Sequence, residues 1–262
     1  MHLKYLFRAG LAAAALLLYM YRNANKIHKK RHIIKLETRH GFRPFRLLFV
    51  ADIHRKKLPE NFITNPLDAV VIGGDFTERG VPMKRTADNL RILTEAAPVF
   101  FIWGNNDEEV GERNLRKLLG HFQVTILDNE SVELFNNPHL KLVGVDFFSD
   151  REEKLKKAFS KVERDDTVLF ASHTPAVFKY LQSAEGPGFM MAGHTHGGQI
   201  RIGRIGLYKK GSLRKFGRRY QLVTNGYGTT SLPLRLGAEA QYHILEFIPL
   251  EGNGFQRVAK NT

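Results

Sequence analysis

Short apolar runs alternate with amphipathic segments through most of the chain, from residue 46 to about residue 250. The first six runs each hold five or six apolar or small residues, which is typical of strands buried on both faces. The predicted strands are 46–51, 69–74, 98–103, 140–145, 167–172 and 189–193, with later strands at 220–225 and 242–248. The predicted helices are 82–96, 109–119, 151–162 and 175–181. This alternation of strand and helix predicts an α/β domain.

The N-terminus has a different pattern. Residues 9–21 form an uninterrupted apolar run, and residues 5–7 extend it beyond Arg8. A spanning helix needs about 20 apolar residues, so this segment crosses a bilayer only if the Arg8 side chain reaches toward the interface. Five Lys and Arg residues follow between positions 22 and 31, and such a flank favours the cytoplasmic side. We predict an uncleaved, single-pass anchor in the cell membrane over residues 1–21, with the rest of the chain in the cytoplasm.

Two alternatives to the anchor are a cleaved signal peptide and a helix buried in the domain. A signal peptide fits the short basic start and the apolar core, but no small-x-small cleavage site follows them. After the anchor we predict a basic linker over 22–45, a catalytic domain over 46–250 and a C-terminal tail over 251–262.

Positive charge is concentrated beside the predicted anchor. Residues 1–40 carry +8 of the net charge of +14. This distribution favours contact with a membrane surface, and we do not expect nucleic acid to be a partner. The chain has no cysteine, which excludes disulfides and thiolate metal ligands. Any bound metal must therefore use His, Asp, Glu or Asn side chains.

Metal-capable side chains directly follow five of the predicted strands. They are Asp52 and His54, then Asp75, then Asn105 with Asn106 and Asp107, then His173, and finally His194 and His196. Ligands of α/β sheets bind outside the carboxyl ends of the strands. Taken alone, an Asp or Asn at such a position is explained by a turn or a helix cap, and a His-x-His pair by a place on the surface. Their repetition at five strand ends predicts a metal centre.

The order Asp-x-His, Gly-Asp, Gly-Asn-x-Asp, His, Gly-His-x-His resembles that of the calcineurin-like metallophosphoesterases. Residues 193–200 and 224–237 look like the membrane-associated bacterial branch of this family. The resemblance covers residues 44–250. It implies a four-layer α/β/β/α sandwich, here with an N-terminal hydrophobic helix, and a metal-dependent phosphoesterase activity.

The resemblance also implies two divalent metal ions drawn from Mn, Fe, Zn or Mg, with Mn favoured. The first ion would be held by Asp52, His54, Asp75 and His196, and the second by Asp75, Asn105, His173 and His194. Two such ions clamp both the attacking and the leaving oxygen of a phosphoryl group. The bridging carboxylate of Asp75 would offset their mutual repulsion.

The sequence departs from the family pattern at Asn106, where the family usually has His. The resemblance implies that this His protonates the leaving group, whereas an amide supplies no proton near neutral pH. Three readings remain open: a substrate with a good leaving group, a substitute acid, or a protein that binds phosphate ligands without rapid turnover. Asp75, Asn106 and Asp107 form the predicted catalytic set. Asp107 normally supports the missing His, and a turn or cap is its alternative role.

A second basic cluster follows the histidines. Residues 201–219 contain eight Lys and Arg residues and no acidic residue, with apolar and aromatic residues between them. The segment is interpreted as a solvated loop or hairpin, as a surface for anionic lipid headgroups, or as a site for substrate phosphate. The residues assigned to lipid or substrate phosphate are Arg201, Arg204, Lys209 and Lys210.

These patterns predict a membrane-anchored two-metal phosphohydrolase that cleaves a phosphodiester or pyrophosphate bond, with a lipid-linked substrate as one version. The alternative is a regulatory protein that binds phosphate ligands and has weakened catalysis because Asn106 replaces the usual His. A nucleic-acid enzyme at the membrane surface has only the charge in its favour. The sequence makes no prediction of the oligomeric state.

Overall fold

Two six-stranded β-sheets form the centre of the protein in the computed structural model, which describes residues 2–147, 151–182 and 186–251. The strands are β1 Ile27–Thr38, β2 Phe45–Val50, β3 Ala69–Ile72, β4 Val99–Phe101, β5 Thr125–Ile126, β6 Glu130–Leu134, β7 Asn137–Val145, β8 Thr167–Ser172, β9 Phe189–Ala192, β10 Arg201–Ile202, β11 Ile205–Gly206, β12 Ser212–Phe216, β13 Arg219–Val223 and β14 Ala240–Glu251. The α-helices are α1 His2–Asn25, α2 Met83–Thr94, α3 Glu112–His121 and α4 Arg151–Ala158. Short 3-10 helices lie at Glu108–Val110, Pro175–Leu181 and His196–Gly198.

The first sheet has the strand order β1-β14-β2-β3-β4-β5, and the second has β12-β13-β9-β8-β7-β6. Strands β2 to β5 run parallel to one another, and so do β7, β8, β9 and β13. A separate hairpin is formed by β10 and β11. Parallel strands present their carboxyl ends at one edge of a sheet. The loops after β2, β3 and β4 therefore lie together, as do those after β8 and β9.

The two sheets pack face to face, and helices cover their outer faces. Leu47 and Phe49 of β2 point into the layer between the sheets, where they join Leu169 of β8. Leu48 and Val50 of the same strand point the other way, into the core formed with α2 and α3. The outer face of the second sheet packs against α4 and the second 3-10 helix. Successive side chains of a strand alternate between the two faces of a sheet. The inward-facing and the outward-facing side chains of β2 are therefore both buried, the first by the other sheet and the second by helices. The arrangement confirms the predicted α/β/β/α sandwich.

The segment predicted to be a basic linker, 22–45, contains the long strand β1. This strand pairs in parallel with β14 over its whole length and forms an edge of the first sheet. Ile34 and Leu36 are fully buried, whereas Ile33 and Lys35 face solvent. The prediction of a basic linker over 22–45 is therefore corrected, because residues 27–38 form a strand of the domain. Charged side chains are common on edge strands, where they discourage pairing with other chains, so the basic residues did not indicate an irregular segment.

Two predicted helices differ in form from those observed. Residues 175–181 form a 3-10 helix rather than an α-helix. The predicted helix 109–119 is divided at Gly111, whose φ of 90° lies far from helical values. The predicted tail, 251–262, begins at the last residue of β14, and its remainder, 252–262, lies outside the described residues.

Helix α1 stands almost entirely clear of the domain. Among the described residues it is the helix that is long and apolar enough to cross a membrane. Its large apolar side chains from Leu3 to Tyr19 are exposed, whereas Met20 and Ala24 are buried. The backbone N–H of Arg235 donates to the Met20 carbonyl at 3.0 Å. This exposure is inconsistent with the buried-helix alternative and fits both an anchor and a signal peptide.

Replacing Ile34 by Ala tests whether β1 belongs to the folded domain. We expect it to lower the free energy of unfolding by about 2–5 kcal/mol, because a fully buried side chain is lost from the layer between the sheets. The matched control is Ile33→Ala on the same strand, where the side chain is 63% exposed. We expect this control to change stability by no more than about 0.5 kcal/mol. Denaturant unfolding of the full chain in detergent measures both, and equal effects would contradict the placement of β1.

Candidate metal centre

The predicted ligands lie where the strand ends of both sheets meet. Those of the first sheet are Asp52, His54, Asp75 and Asn105, and those of the second are His173, His194 and His196. The His194 backbone N–H donates to the two Asp52 carboxylate oxygens at 3.0 and 3.1 Å. His173 Nδ1 lies 2.9 Å from the Gly73 carbonyl oxygen. These contacts cross from one sheet to the other, so the packing of the sheets sets the positions of the ligands.

Asp52, His54 and His196 form one group of metal-capable side chains. The Nε2 atoms of His54 and His196 are 3.1 Å apart, and His196 Nε2 is 3.6 Å from Asp52 Oδ1. All three residues are buried. Two imidazole nitrogens and a carboxylate oxygen this close together form a donor set for a divalent cation.

Asp75, His173 and His194 form the second group. His173 Nε2 lies 3.4 Å from Asp75 Oδ2 and 3.0 Å from His194 Nδ1. The same Asp75 oxygen lies 3.7 Å from His54 Nε2 in the first group. The Asp75 carboxylate is therefore within reach of both groups.

Five of the seven predicted ligands have a left-handed backbone, with φ between 48° and 69°. They are Asp52, His54, Asp75, His194 and His196. A residue other than glycine costs on the order of 1–3 kcal/mol in this conformation, and such residues cluster at functional sites. The loops also approach one another closely. A Cβ atom on Gly104 would lie 2.2 Å from the Asp75 backbone nitrogen, so only glycine fits there.

The donor atoms fit a pair of divalent cations. Asn105 Oδ1 is buried and has no hydrogen-bond partner among the described residues. Buried polar atoms are nearly always paired, so an unpartnered amide oxygen is suited to a cation. The residues on both sides of Asn105, Gly104 and Asn106, lie against Asp75. The Gly73 carbonyl accepts from His173 Nδ1, which directs the other ring nitrogen, Nε2, toward Asp75.

Burial and neighbouring charges shift the pKa values of the ligands in different directions. Burial lowers the pKa of His194 to about 4 and is also the largest cause of the lowered pKa of His196. Burial alone would lower the pKa of His173, but its hydrogen bond to Asp75 and the charge of that carboxylate raise it to about 9. Burial raises the pKa of Asp52 to about 6. Cations bind neutral imidazole, so His173 must lose a proton to become a ligand.

Asn106, in place of the family histidine, contacts the central carboxylate. Its backbone N–H and its Nδ2 donate to the two oxygens of Asp75 at 2.8 and 2.7 Å. Asp107 is fully buried and accepts from the backbone N–H groups of Thr77 at 3.0 Å and Gly104 at 2.9 Å. Burial, followed by the charge of Asp75, raises the pKa of Asp107 to about 7. These contacts fit the alternative turn role of Asp107.

The four basic residues assigned to phosphate do not form one surface. Arg201 is buried, and its guanidinium donates to the carbonyl groups of Arg204 and Tyr208. Its assignment to phosphate is corrected, because these backbone acceptors occupy its donors. Arg204, Lys209 and Lys210 are exposed. A count of charges along the sequence does not distinguish a buried arginine from an exposed one.

Arg235 is a residue of the site that the sequence patterns did not single out. It is fully buried, and its Nη2 donates to the carbonyl oxygens of Asn225 and Gly228 at 2.6 Å each. The same nitrogen lies 3.3 Å from His196 Nδ1. The guanidinium therefore fixes the loop before β14 against a predicted ligand. The sequence feature that could have identified Arg235 is its position within 224–237, one of the segments that carried the family resemblance.

Glu78 was also missed. Its Oε2 lies 2.9 Å from His54 Nδ1, and its other carboxylate oxygen pairs with Arg55. A carboxylate at the outer nitrogen of a ligating imidazole orients the ring and increases its basicity. The sequence signal was weak, because Glu78 follows Asp75 in a loop where an acidic residue is explained equally well by solvent exposure.

Two ligand groups that meet at one carboxylate, beside the strand ends of two packed sheets, define a metal-dependent phosphoesterase. The chain belongs to the calcineurin-like phosphoesterase family, whose model matches residues 45–198. It is 35% identical over 240 residues to the uncharacterized protein YpbG of Bacillus subtilis (strain 168), covering 89% of this chain and 93% of that protein. It is 29% identical over 230 residues to the phosphodiesterase YaeI of Escherichia coli (strain K12), covering 78% and 83%. It is 26% identical over 198 residues to a transmembrane protein with metallophosphoesterase domain of Bos taurus, covering 66% and 44%.

The affinity of the site for Mn²⁺ should rise with pH. At neutral pH a cation must displace the proton that Asp75 holds on His173, whose pKa is raised to about 9. Below about pH 6 it must also compete with a proton on Asp52. We expect the dissociation constant for Mn²⁺ to fall as the pH rises from about 6 to about 9, with protons released on binding. Calorimetry in buffers of different ionisation enthalpy measures both quantities, and an affinity independent of pH would contradict these proton positions.

Proposed function

We propose that the protein is a membrane-anchored phosphohydrolase that uses two divalent cations to cleave a phosphodiester or pyrophosphate bond of a lipid-linked substrate. The observation that carries the proposal is the pair of ligand groups that meet at Asp75. The buried, unpartnered Asn105 oxygen supports it, because the adjacent residue Asn106 contacts Asp75. The mixture of carboxylate, amide oxygen and imidazole donors suits Mn, Fe or Zn. We favour manganese among them.

In this proposal the ligands divide between the two cations as the family resemblance implies. The first cation is held by Asp52, His54, Asp75 and His196, and the second by Asp75, Asn105, His173 and His194. When bound, such cations polarise phosphoryl oxygens and lower the pKa of a coordinated water. The residues of the chain hold the carboxylate between the two groups, orient the imidazoles and keep His194 and His196 neutral.

The residue at position 106 limits which phosphate bonds the proposed site could cleave quickly. Asn106 has no proton to give near neutral pH, and its backbone nitrogen and its Nδ2 both donate to Asp75. Losing a general acid costs about 10²–10⁴-fold in rate when the leaving group needs a proton. A pyrophosphate or an activated diester avoids this cost, because its leaving group departs as a stable anion.

Membrane anchorage is supported by helix α1, whose apolar side chains are exposed along most of its length. The +8 charge of residues 1–40 places cations beside the helix and favours a cytoplasmic domain. The bovine relative is described as a transmembrane protein, and the Escherichia coli relative as a phosphodiesterase. An anchored catalytic domain would meet substrates that are themselves held in the bilayer.

Asp75→Ala should abolish hydrolysis, because it removes the carboxylate that both ligand groups share. The full chain, loaded with Mn²⁺, would be assayed on a bis-aryl phosphodiester, an aryl phosphomonoester and a pyrophosphate diester. The matched control is Asp88→Ala, which removes a carboxylate of α2 that pairs with the exposed Lys84, and we expect it to keep full activity. Activity that survives in Asp75→Ala would contradict the proposed site.

Asn106→His tests the role of the missing acid. We expect it to raise the rate on an alkyl phosphodiester by about 10²-fold or more and to leave the aryl diester rate nearly unchanged. The alternative function, a regulatory protein that binds phosphate ligands, is favoured by the same contact between Asn106 and Asp75. Binding of a pyrophosphate ligand by the Mn²⁺-loaded chain without turnover of any substrate would support that alternative. An equal change in rate on both diesters would contradict the leaving-group argument.

A further inference from the structure

The hairpin β10–β11 presents an apolar tip to solvent. Ile202, Ile205 and Leu207 are 75%, 80% and 83% exposed. The turn between the two strands is formed by Gly203 and Arg204. Neighbouring large apolar side chains that remain in solvent mark a contact with another molecule or with lipid.

The buried Arg201 fixes the base of the hairpin to the domain. The Arg201 guanidinium donates to the carbonyl groups of Arg204 and Tyr208. The Arg201 backbone N–H donates to the Leu236 carbonyl at 2.7 Å. These bonds close the base of the hairpin and fix it to the loop before β14. The apolar tip is therefore held in a defined position on the surface.

The same loop contacts the N-terminal helix. Leu236 follows Arg235, whose backbone N–H donates to the Met20 carbonyl of α1 at 3.0 Å, and Leu232 of this loop is 59% exposed. Met20 lies one residue before the end of the apolar run 9–21. The base of the hairpin is therefore tied to the part of α1 where the apolar run ends. That is where a spanning helix leaves the bilayer.

Exposed cations lie within the hairpin and directly after it. Arg204 lies in the hairpin turn, Lys209 and Lys210 follow the hairpin, and all three are exposed. Residues 201–219 contain eight Lys and Arg residues and no acidic residue. Apolar side chains among cations are typical of segments that enter the interface of an anionic membrane. Lysine is depleted in protein–protein interfaces, which favours lipid over a second protein as the occupant.

We propose that the β10–β11 hairpin enters the headgroup region of an anionic bilayer and forms a second membrane contact beside α1. This inference rests on the membrane anchorage proposed above. The hairpin begins five residues after the predicted ligand His196, and the Gln199 backbone N–H donates to the His196 carbonyl at 3.0 Å. The Gln199 side chain also donates to the carbonyl of Leu232 at 3.1 Å. The docked hairpin thus holds the metal centre beside the lipid surface, where the phosphate of an amphiphilic substrate lies.

Depth-dependent fluorescence quenching tests this contact in the full chain. Since the chain has no cysteine, Ile205→Cys gives a single site for an environment-sensitive label, and Leu207→Cys gives a second. Each variant would be placed, one copy per disc, in nanodiscs that contain phosphatidylserine and lipids spin-labelled at different depths. We expect both labels to lie about 5–10 Å into the headgroup and acyl boundary. The control is Lys117→Cys on the exposed face of α3, which packs beside β5 at the opposite edge of the first sheet from β1, and its label should stay in water.

Equal quenching at positions 205 and 117 would overturn the proposal. An apolar signal at position 205 without quenching by any spin-labelled lipid would also overturn it, because the tip would then contact protein. We expect phosphatidylcholine discs, or the double variant Lys209→Gln and Lys210→Gln, to weaken the quenching. Equal quenching in both lipids would overturn the requirement for anionic lipid.

The quenching measurement does not depend on enzymatic turnover. A protein that inserts the hairpin but is inactive would refute only the hydrolase function, and an active protein with a hydrated tip would refute only the hairpin contact.

Discussion

The Asp75 carboxylate sits between imidazoles that come from both sheets, 3.7 Å from His54 Nε2 on one side and 3.4 Å from His173 Nε2 on the other. A single oxygen reaches both ligand groups because the carboxyl ends of the parallel strands in the two sheets meet at one edge of the sandwich. The apolar layer between the sheets holds that edge in register, and the His173 contact with the Gly73 carbonyl crosses it. The metal centre therefore depends on the packing of the whole sandwich rather than on one loop.

The strained backbone follows from the same constraint. Side chains at five strand ends must converge on one small volume, and a left-handed residue directly after a strand turns the chain sharply enough to do this. Asp52, Asp75 and His194 each adopt that conformation within three residues of a strand end. The cost, on the order of 1–3 kcal/mol for each residue, is offset by the buried sheets on which the loops stand.

The apolar runs were sufficient to predict the buried strands and to locate the metal-capable side chains that follow them, because a short apolar run between polar segments is typical of a strand buried on both faces. The assignment of those side chains as ligands stays a prediction. The apolar runs were insufficient for β1, where Ile34 is buried but the alternate positions carry charge. They were also insufficient for the arginines. Arg201 and Arg235 are buried against backbone carbonyls of nearby turns and loops. Apolar periodicity does not predict how such turns and loops fold, so it did not indicate that these two arginines are buried. Asn106 was identified as unusual, but its contact with Asp75 depends on how the loops after β3 and β4 pack together, which the sequence pattern does not indicate.

Metal stoichiometry with anomalous diffraction is the most direct test of the account. The full chain would be purified with Mn²⁺, its manganese content measured per chain, and the ions located at the manganese absorption edge. We predict two ions per chain, one beside each of the two ligand groups and both in contact with Asp75. A single ion, or two ions that do not share Asp75, in a chain that is otherwise folded would contradict the central claim.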